Sequence, residues 1–206
     1  MGGQSLKSAV SVDFVAACRA LRALCAAVEE DQDLAVKLNQ AVAVCVRSLG
    51  NGGTVFFCGN GGSAADSQHL AGELVSRFLY DRPALRGVAL NADTAILTAI
   101  GNDYGYEKSL SRPLEAQARK GDVLVALSTS GKSPNVLNAL RAATHLGVQT
   151  IGLTGRDGGP MAELCGIELR IPSESTPRIQ EVHLLLGHLL CEGIEAAMFP
   201  KSAADL

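Results

Sequence analysis

The chain has 206 residues, 47% hydrophobic and 19% charged, with a formal net charge of −3. That supply of apolar side chains suffices for one sizeable core, which excludes general disorder and leads us to expect a single domain over residues 1–206. No basic excess supplies the electrostatic footprint that a phosphate backbone requires, so a nucleic-acid partner is not expected.

The amino-terminal MGGQSLKSAVSVDF lacks an apolar signal core, and its sixth residue is Leu, not the Ser or Thr of a myristoylation motif. No apolar run reaches membrane-spanning length. The cytoplasm is the expected location, with no membrane partner, and residues up to about Val10 are expected to be disordered. The cysteines, Cys18, Cys25, Cys45, Cys58, Cys165 and Cys191, are scattered without a CxxC pair, and four of them lie in apolar patterns. They read as buried free thiols in a reducing compartment.

Two helical patterns follow, around Phe14 to Val28 and Leu34 to Leu49, separated by EEDQD at Glu29 to Asp33. From Thr54 onward, short apolar or β-branched runs alternate with helices: TVFFC, GVALN, VLVALS, TIGLT and IELRIP. Five such strands with helical crossovers predict an α/β core over residues 54–198, built on a five-stranded parallel sheet flanked by helices. Open sheets of this kind bind ligands at the carboxyl ends of their strands. The informative loops fall there: Gly59, Asn60, Gly61, Gly62 and Ser63 after TVFFC; Ser128 to Pro134 after VLVALS; Gly155 to Pro160 after TIGLT.

STSGKSPNVLNAL is the stronger anion candidate, because hydroxyls and free amides cluster at a helix amino terminus, where the dipole favours negative charge. Pro134 suits the first helical position and leaves Ser133 as the expected N-cap. A capping turn without a ligand has the same pattern, and Lys132 suits either an anion contact or solvent. Neither loop fits GxxxxGK[ST] or GxGxxG, which argues against ATP, GTP or NAD and for a compact phosphorylated metabolite.

His69 and Glu73 are one helical turn apart, with Cβ atoms about 6 Å from each other, close enough to share a metal or a substrate. A surface pair has the same spacing. In the carboxy-terminal TPRIQEVHLLLGHLLCEGIEAAMF, apolar residues occur all round the helix and only Glu181 and Glu192 make a polar edge. Such a helix is expected to be buried on most sides, packing on a second subunit as well as its own sheet. Gln180 and His188 then need polar partners, and a satisfied core histidine is the plain alternative. His145 suits a helix carboxyl end, and His183 reads as structural. Arg77, one turn past Glu73, suits a carboxylate contact or an ordinary ion pair. Glu192 makes a second HxxxE with His188, and spacing alone does not choose between the two pairs.

Together GNGGSAADSQHLAGEL, LTAIGNDYGYE, STSGKSPNVLNAL and TPRIQEVHLLLGHLLCEGIE resemble the bacterial sedoheptulose 7-phosphate isomerases, or phosphoheptose isomerases, of the sugar-isomerase (SIS) fold. The resemblance runs in matching order over nearly the whole chain. It implies conversion of sedoheptulose 7-phosphate to D-glycero-D-manno-heptose 7-phosphate through an enediol, supplying the heptose of surface polysaccharide. It also implies a homotetramer, with helices of residues 1–50 in oligomer packing, and one zinc ion per subunit.

Carried onto matching positions, the metal set is His69, Glu73, Gln180 and His188, with Glu73 as base and His188 as acid. The implied substrate contacts are Asn60, Gly61, Gly62, Ser63, Glu73, Asn102, Asp103, Ser128, Thr129, Ser130, Ser133 and Gln180. Lys132 stands where the family usually has Asn. Relatives that bind the bacterial replication initiator lack the Glu of HxxxE and the second His; both are present here, which favours an enzyme. An isomerase of a shorter or amino sugar phosphate is the other alternative. From Ser63 to Glu73 a helix rises about 15 Å, whereas an extended seven-carbon sugar phosphate measures about 9 Å from reacting carbon to phosphorus. The phosphate is therefore expected on STSGKS, with a subunit boundary near His69 and Glu73.

Overall fold

A computed structural model describes residues 12–201; the expected disorder up to Val10 lies outside the described residues. The first two helices, α1 (Phe14–Glu29) and α2 (Gln32–Gly50), are separated where EEDQD predicts a break. The cause is local: Asp13 accepts from the Ala16 amide at 2.8 Å and Asp31 from the Leu34 amide at 2.9 Å. Each carboxylate satisfies an amide that the helix leaves unpaired, contributing about 1 kcal/mol.

The strands are β1 (Val55–Cys58), β2 (Gly87–Ala89), β3 (Val123–Ser128), β4 (Gln149–Gly155) and β5 (Ile167–Ile171), all parallel, in the order β2-β1-β3-β4-β5. This is the expected five-stranded sheet. Alternate residues divide the core between its faces. Val55 and Phe57 of β1, with Val123, Val125 and Leu127 of β3, pack against α2, α3 (Gly62–Val75) and α7 (Thr176–Met198). Phe56, Cys58, Leu124 and Ala126 face the other way, against α5 (Ser111–Gln117) and α6 (Pro134–Leu146). The chain reverses its direction of sheet growth between β1 and β3, which opens a crevice at their carboxyl ends. Between β2 and β3 lie α4 (Thr94–Tyr104) and a 3-10 turn, Tyr106–Lys108, followed by α5.

The long helix α7 starts after Ser175, as its sequence predicts, and most of its length is buried. One stripe differs: Glu181 and Glu192 are exposed, and Leu185 and Leu189 between them are 42% and 39% exposed. Of the cysteines, Cys45, Cys58 and Cys191 are buried, Cys25 and Cys165 half-buried and Cys18 exposed, all as free thiols. Cys18 departs from the expected burial because α1 buries only Leu24 fully. Among the described residues, no helix is long and apolar enough to cross a membrane.

Candidate active site

Both glycine- and serine-rich loops open into the β1/β3 crevice and lead directly into helices. Helix α3 is entered through Gly61, the residue before its first turn, whose φ of 56° is reached readily only by glycine, and no side chain caps it. Helix α6 starts with Pro134 after Ser133, as predicted. The Ser133 hydroxyl, however, makes no capping bond; it lies 3.3 Å from the Ser128 Oγ across the loop. Both helix amino termini therefore keep their attraction for an anion.

Behind the serine loop stands the third loop. Gly131 is buried with φ of 63°, and a Cβ there would strike the backbone of Gly158. The Met161 amide donates to the Gly131 carbonyl at 3.2 Å. The third loop thus supports the second. Thr129 and Ser130 are half-buried, and Lys132 is exposed, its Nζ 4.0 Å from Asp157. An exposed pair at that distance contributes little.

Asn60 links the two sides of the crevice. Its side-chain amide exchanges two hydrogen bonds with Asn135, both 2.8 Å, and its Oδ1 also accepts from the Tyr106 hydroxyl at 2.9 Å. Asn135, which is 2% exposed, also donates to Ser109 Oγ and accepts from the Val136 amide. Asn102 and Asp103, exposed near the end of α4, are hydrogen-bonded to each other at 2.7 Å.

Helices α3 and α7 run side by side in the same direction. The Gln180 amide lies over Gly62, where an added Cβ would meet its Nε2 at 2.7 Å. Eight residues further along α7, His188 Nε2 lies 2.9 Å from His69 Nε2. Between them Gly187 packs on Leu70, where a Cβ would lie 2.6 Å from the leucine side chain. Glu73 Oε1 is 3.3 Å from His69 Nε2, and ligand atoms of His69, Glu73 and His188 all fall within 4.8 Å of one another. The structure therefore brings three of the four expected metal residues together and sets Gln180 against the glycine end of α3. Glu192, the carboxylate of the second HxxxE, is exposed and outside this group.

The donor set fits a metal ion. Two imidazoles and one carboxylate are ordinary ligands of a first-row divalent ion, leaving a position open.

Other neighbours carry no motif. Asp66, one turn before His69, has its carboxyl raised by burial against the opposing pull of His69 and His188. Phe78 covers the other side of His188, with ring centroids 5.5 Å apart. His183 is fully buried with Nε2 3.0 Å from the Thr154 carbonyl and, among the described residues, no partner for Nδ1; burial lowers its pKa to about 4 against that bond. Arg77 is exposed and makes no ion pair among the described residues. A cavity of about 320 Å³ between α2 and the starts of β4 and β5, lined by Gln40, Arg47, Gln149 and Ile167, contains none of the site residues.

Residues 16–155 match the SIS domain family. A phosphoheptose isomerase from Burkholderia pseudomallei is 54% identical over 176 residues, 85% of this chain and 89% of that protein. One from Aliarcobacter butzleri is 50% identical over 190 residues, covering 92% and 97%. The solved structure of a phosphoheptose isomerase from Neisseria gonorrhoeae superposes with a TM-score of 0.82 at 42% identity, over 88% of this chain and 97% of that one. With its parallel sheet and its crevice between β1 and β3, this chain belongs to the SIS domain family and, within it, to the phosphoheptose isomerases.

Proposed function

We propose that the chain isomerises sedoheptulose 7-phosphate to D-glycero-D-manno-heptose 7-phosphate, with Glu73 as base and His188 as acid. The observation that carries this reading is the meeting of His69, Glu73 and His188 from α3 and α7. Aldose–ketose isomerisation needs a base beside the acidic C–H and an acid beside the carbonyl oxygen. Glu73 takes a proton from C1 as the C1–C2 double bond forms, and His188 gives a proton to the C2 oxygen, leaving an enediol. In the second half, C2 takes the proton held by Glu73, the C1 hydroxyl returns its proton to His188, and the aldehyde forms at C1.

His69, Glu73 and His188 would hold one zinc ion per subunit; when bound, zinc polarises the carbonyl and stabilises negative charge on the adjacent oxygens. His69 Nε2 and His188 Nε2, 2.9 Å apart, are the atoms that would bind the ion, so their mutual hydrogen bond and zinc are alternatives. Gln180, over Gly62 at the other end of the α3–α7 contact, faces the sugar hydroxyls. The phosphate binds at Ser128, Thr129, Ser130 and Ser133, where the uncapped start of α6 supplies amides and a favourable dipole. Gly61, Gly62 and Ser63 line the sugar, and Asn102 and Asp103 contact its hydroxyls. Asn60 holds the two loops at their separation, because its carbonyl oxygen already serves Tyr106 and Asn135.

The active form is a homotetramer. Val12, Phe14 and Val15 on or beside α1, Val36 on α2, and Leu185 and Leu189 on α7 are large apolar side chains left open in one chain. Solvent does not favour such a set, and helix packing between subunits would cover it. Incubation of purified protein with sedoheptulose 7-phosphate, followed by NMR, should show the aldose 7-phosphate. Absence of turnover with zinc supplied, together with tight binding to a replication initiator, would support the non-catalytic reading; turnover of only a shorter or amino sugar phosphate would replace the substrate. Full activity in a species shown to be monomeric would overturn the tetrameric site.

A further inference from the structure

We propose that the buried Arg82–Glu195 pair is a positioning device for the active site, holding the end of α3 that carries Glu73 in register with the part of α7 that carries His188. The inference rests on the reading of Glu73 and His188 as the proton-transfer residues. The two side chains are 2% and 1% exposed, and Arg82 Nε lies 3.0 Å from Glu195 Oε1. Their remaining bonds run to one small region. Arg82 Nη2 donates to the carbonyl of Glu73 itself at 2.7 Å, and Nη1 donates to the Leu74 carbonyl at 2.7 Å. The guanidinium thus caps the last turn of α3, where carbonyls lack helical partners and a cation complements the dipole.

Glu195 holds the following loop. Its two oxygens accept the amides of Phe78 at 2.8 Å and Leu79 at 2.7 Å. Phe78 is the residue whose ring covers His188. Glu195 also stands seven residues after His188, so the two share a face of α7. One ion pair therefore touches the backbone of the base, the backbone of the residue that packs on the acid, and the helix that bears the acid. Burial works to raise the Glu195 carboxyl, but the Phe78 and Leu79 amides and the Arg82 guanidinium outweigh it, so it is held ionised below the usual carboxylate range.

A clip that serves stability alone would lower thermal stability and leave chemistry unchanged in the folded protein. A positioning pair gives a different result, because misplacing a base by about 1 Å costs on the order of 100-fold in rate. Arg82→Lys keeps the charge but loses the planar fork that reaches two carbonyls as well as Glu195. Its kcat should fall at least tenfold at 10 °C while KM changes less than threefold. Its affinity for cobalt(II) alone, read from the visible absorption of the ion on titration, should fall at least tenfold.

Folded Arg82→Lys with wild-type kcat and cobalt(II) affinity would overturn the proposal. If that variant does not fold, Glu195→Gln decides: the charge that holds Arg82 and one of the two oxygens that accept the Phe78 and Leu79 amides are lost, and kcat should fall at least fivefold, whereas a kcat within twofold of wild type overturns the proposal. Glu73→Gln in the otherwise wild-type chain separates the two levels. Wild-type turnover there would sink the assignment of the base, while an inactive Glu73→Gln beside a fully active Arg82→Lys sinks only the positioning role.

Discussion

Gly131→Ala probes the junction between the serine loop and the loop behind it. Gly131 has φ of 63°, and an added Cβ would collide with the Gly158 carbonyl group and come within 3.2 Å of the Gly159 nitrogen. The left-handed conformation costs an alanine about 1–2 kcal/mol. The collision is with backbone on both sides, so one loop must move, weakening the bonds from Met161 N to Gly131 O and from Gly131 N to Ser128 O, at about 1 kcal/mol each. The sum is about 3–4 kcal/mol, and at about 2–4 °C per kcal/mol in a chain of this size Tm should fall by roughly 6–16 °C. Because the displaced segment carries Ser128, Thr129 and Ser130, KM for the sugar phosphate and the inhibition constant of inorganic phosphate should both rise at least fivefold. Gly121→Ala is the control: φ is 94°, but nothing lies within 4 Å of the added Cβ, so only the conformational cost applies. A Gly131→Ala protein with Tm within 2 °C of wild type and unchanged phosphate inhibition would refute the reasoning.

Glu73→Gln should lower kcat by about 100-fold to 10,000-fold, the range for loss of a general base, while Glu192→Gln stays within twofold of wild type, both read by NMR of aldose formation. Protonation of His183 should destabilise the fold on acidification. Burial holds its pKa at about 4 in the folded state against about 6.5 unfolded, so the unfolded chain binds the extra proton between those values. Its contribution is complete above about pH 6.5 and falls by roughly 3 kcal/mol toward pH 4; urea melts across that window should show the slope, and His183→Gln should reduce it. Alkylation of native protein at pH 8, read by mass spectrometry, should modify Cys18 and spare Cys45, Cys58, Cys165 and Cys191. Burial raises all four, Cys58, Cys165 and Cys191 to about 12, so the reactive thiolate is scarce.

Much of the fold was legible because its signals are local. Each of the five strands is a short apolar run bounded by turn residues, and the α1–α2 break is an aspartate one residue before a helix. The carboxyl ends of β1 and β3 were marked by GNGGS and STSGKS. The candidate site was legible where residue type and spacing suffice, as for placing Glu73 beside His69, but spacing could not choose between Glu73 and Glu192 as the partner of the histidines. That needs the α3–α7 packing, which brings His188 to His69 across 119 positions of sequence.

Side-chain choices in three dimensions were not legible. Ser133 occupies the N-cap, yet its hydroxyl turns to Ser128 because the loop folds back on itself. Asn60 reads as a ligand contact and is largely engaged by Asn135 and Tyr106. Arg82 and Glu195 are separated by 113 positions, and neither lies in a motif. Asp66 sits inside the motif GNGGSAADSQHLAGEL, but only the approach of His188 shows that it borders the site. The all-round apolar pattern of α7 reads as burial, yet Leu185 and Leu189 are exposed; the proposed tetramer would cover them.

Proton transfer at carbon is the centre of the account, and solvent deuterium reports it directly. Sedoheptulose 7-phosphate incubated in D2O with wild-type protein and with Glu73→Gln should be followed by NMR for deuterium at C1 of the ketose and C2 of the aldose. The account predicts deuterium at both carbons with wild type and at neither with Glu73→Gln; wild-type incorporation by folded Glu73→Gln would contradict it.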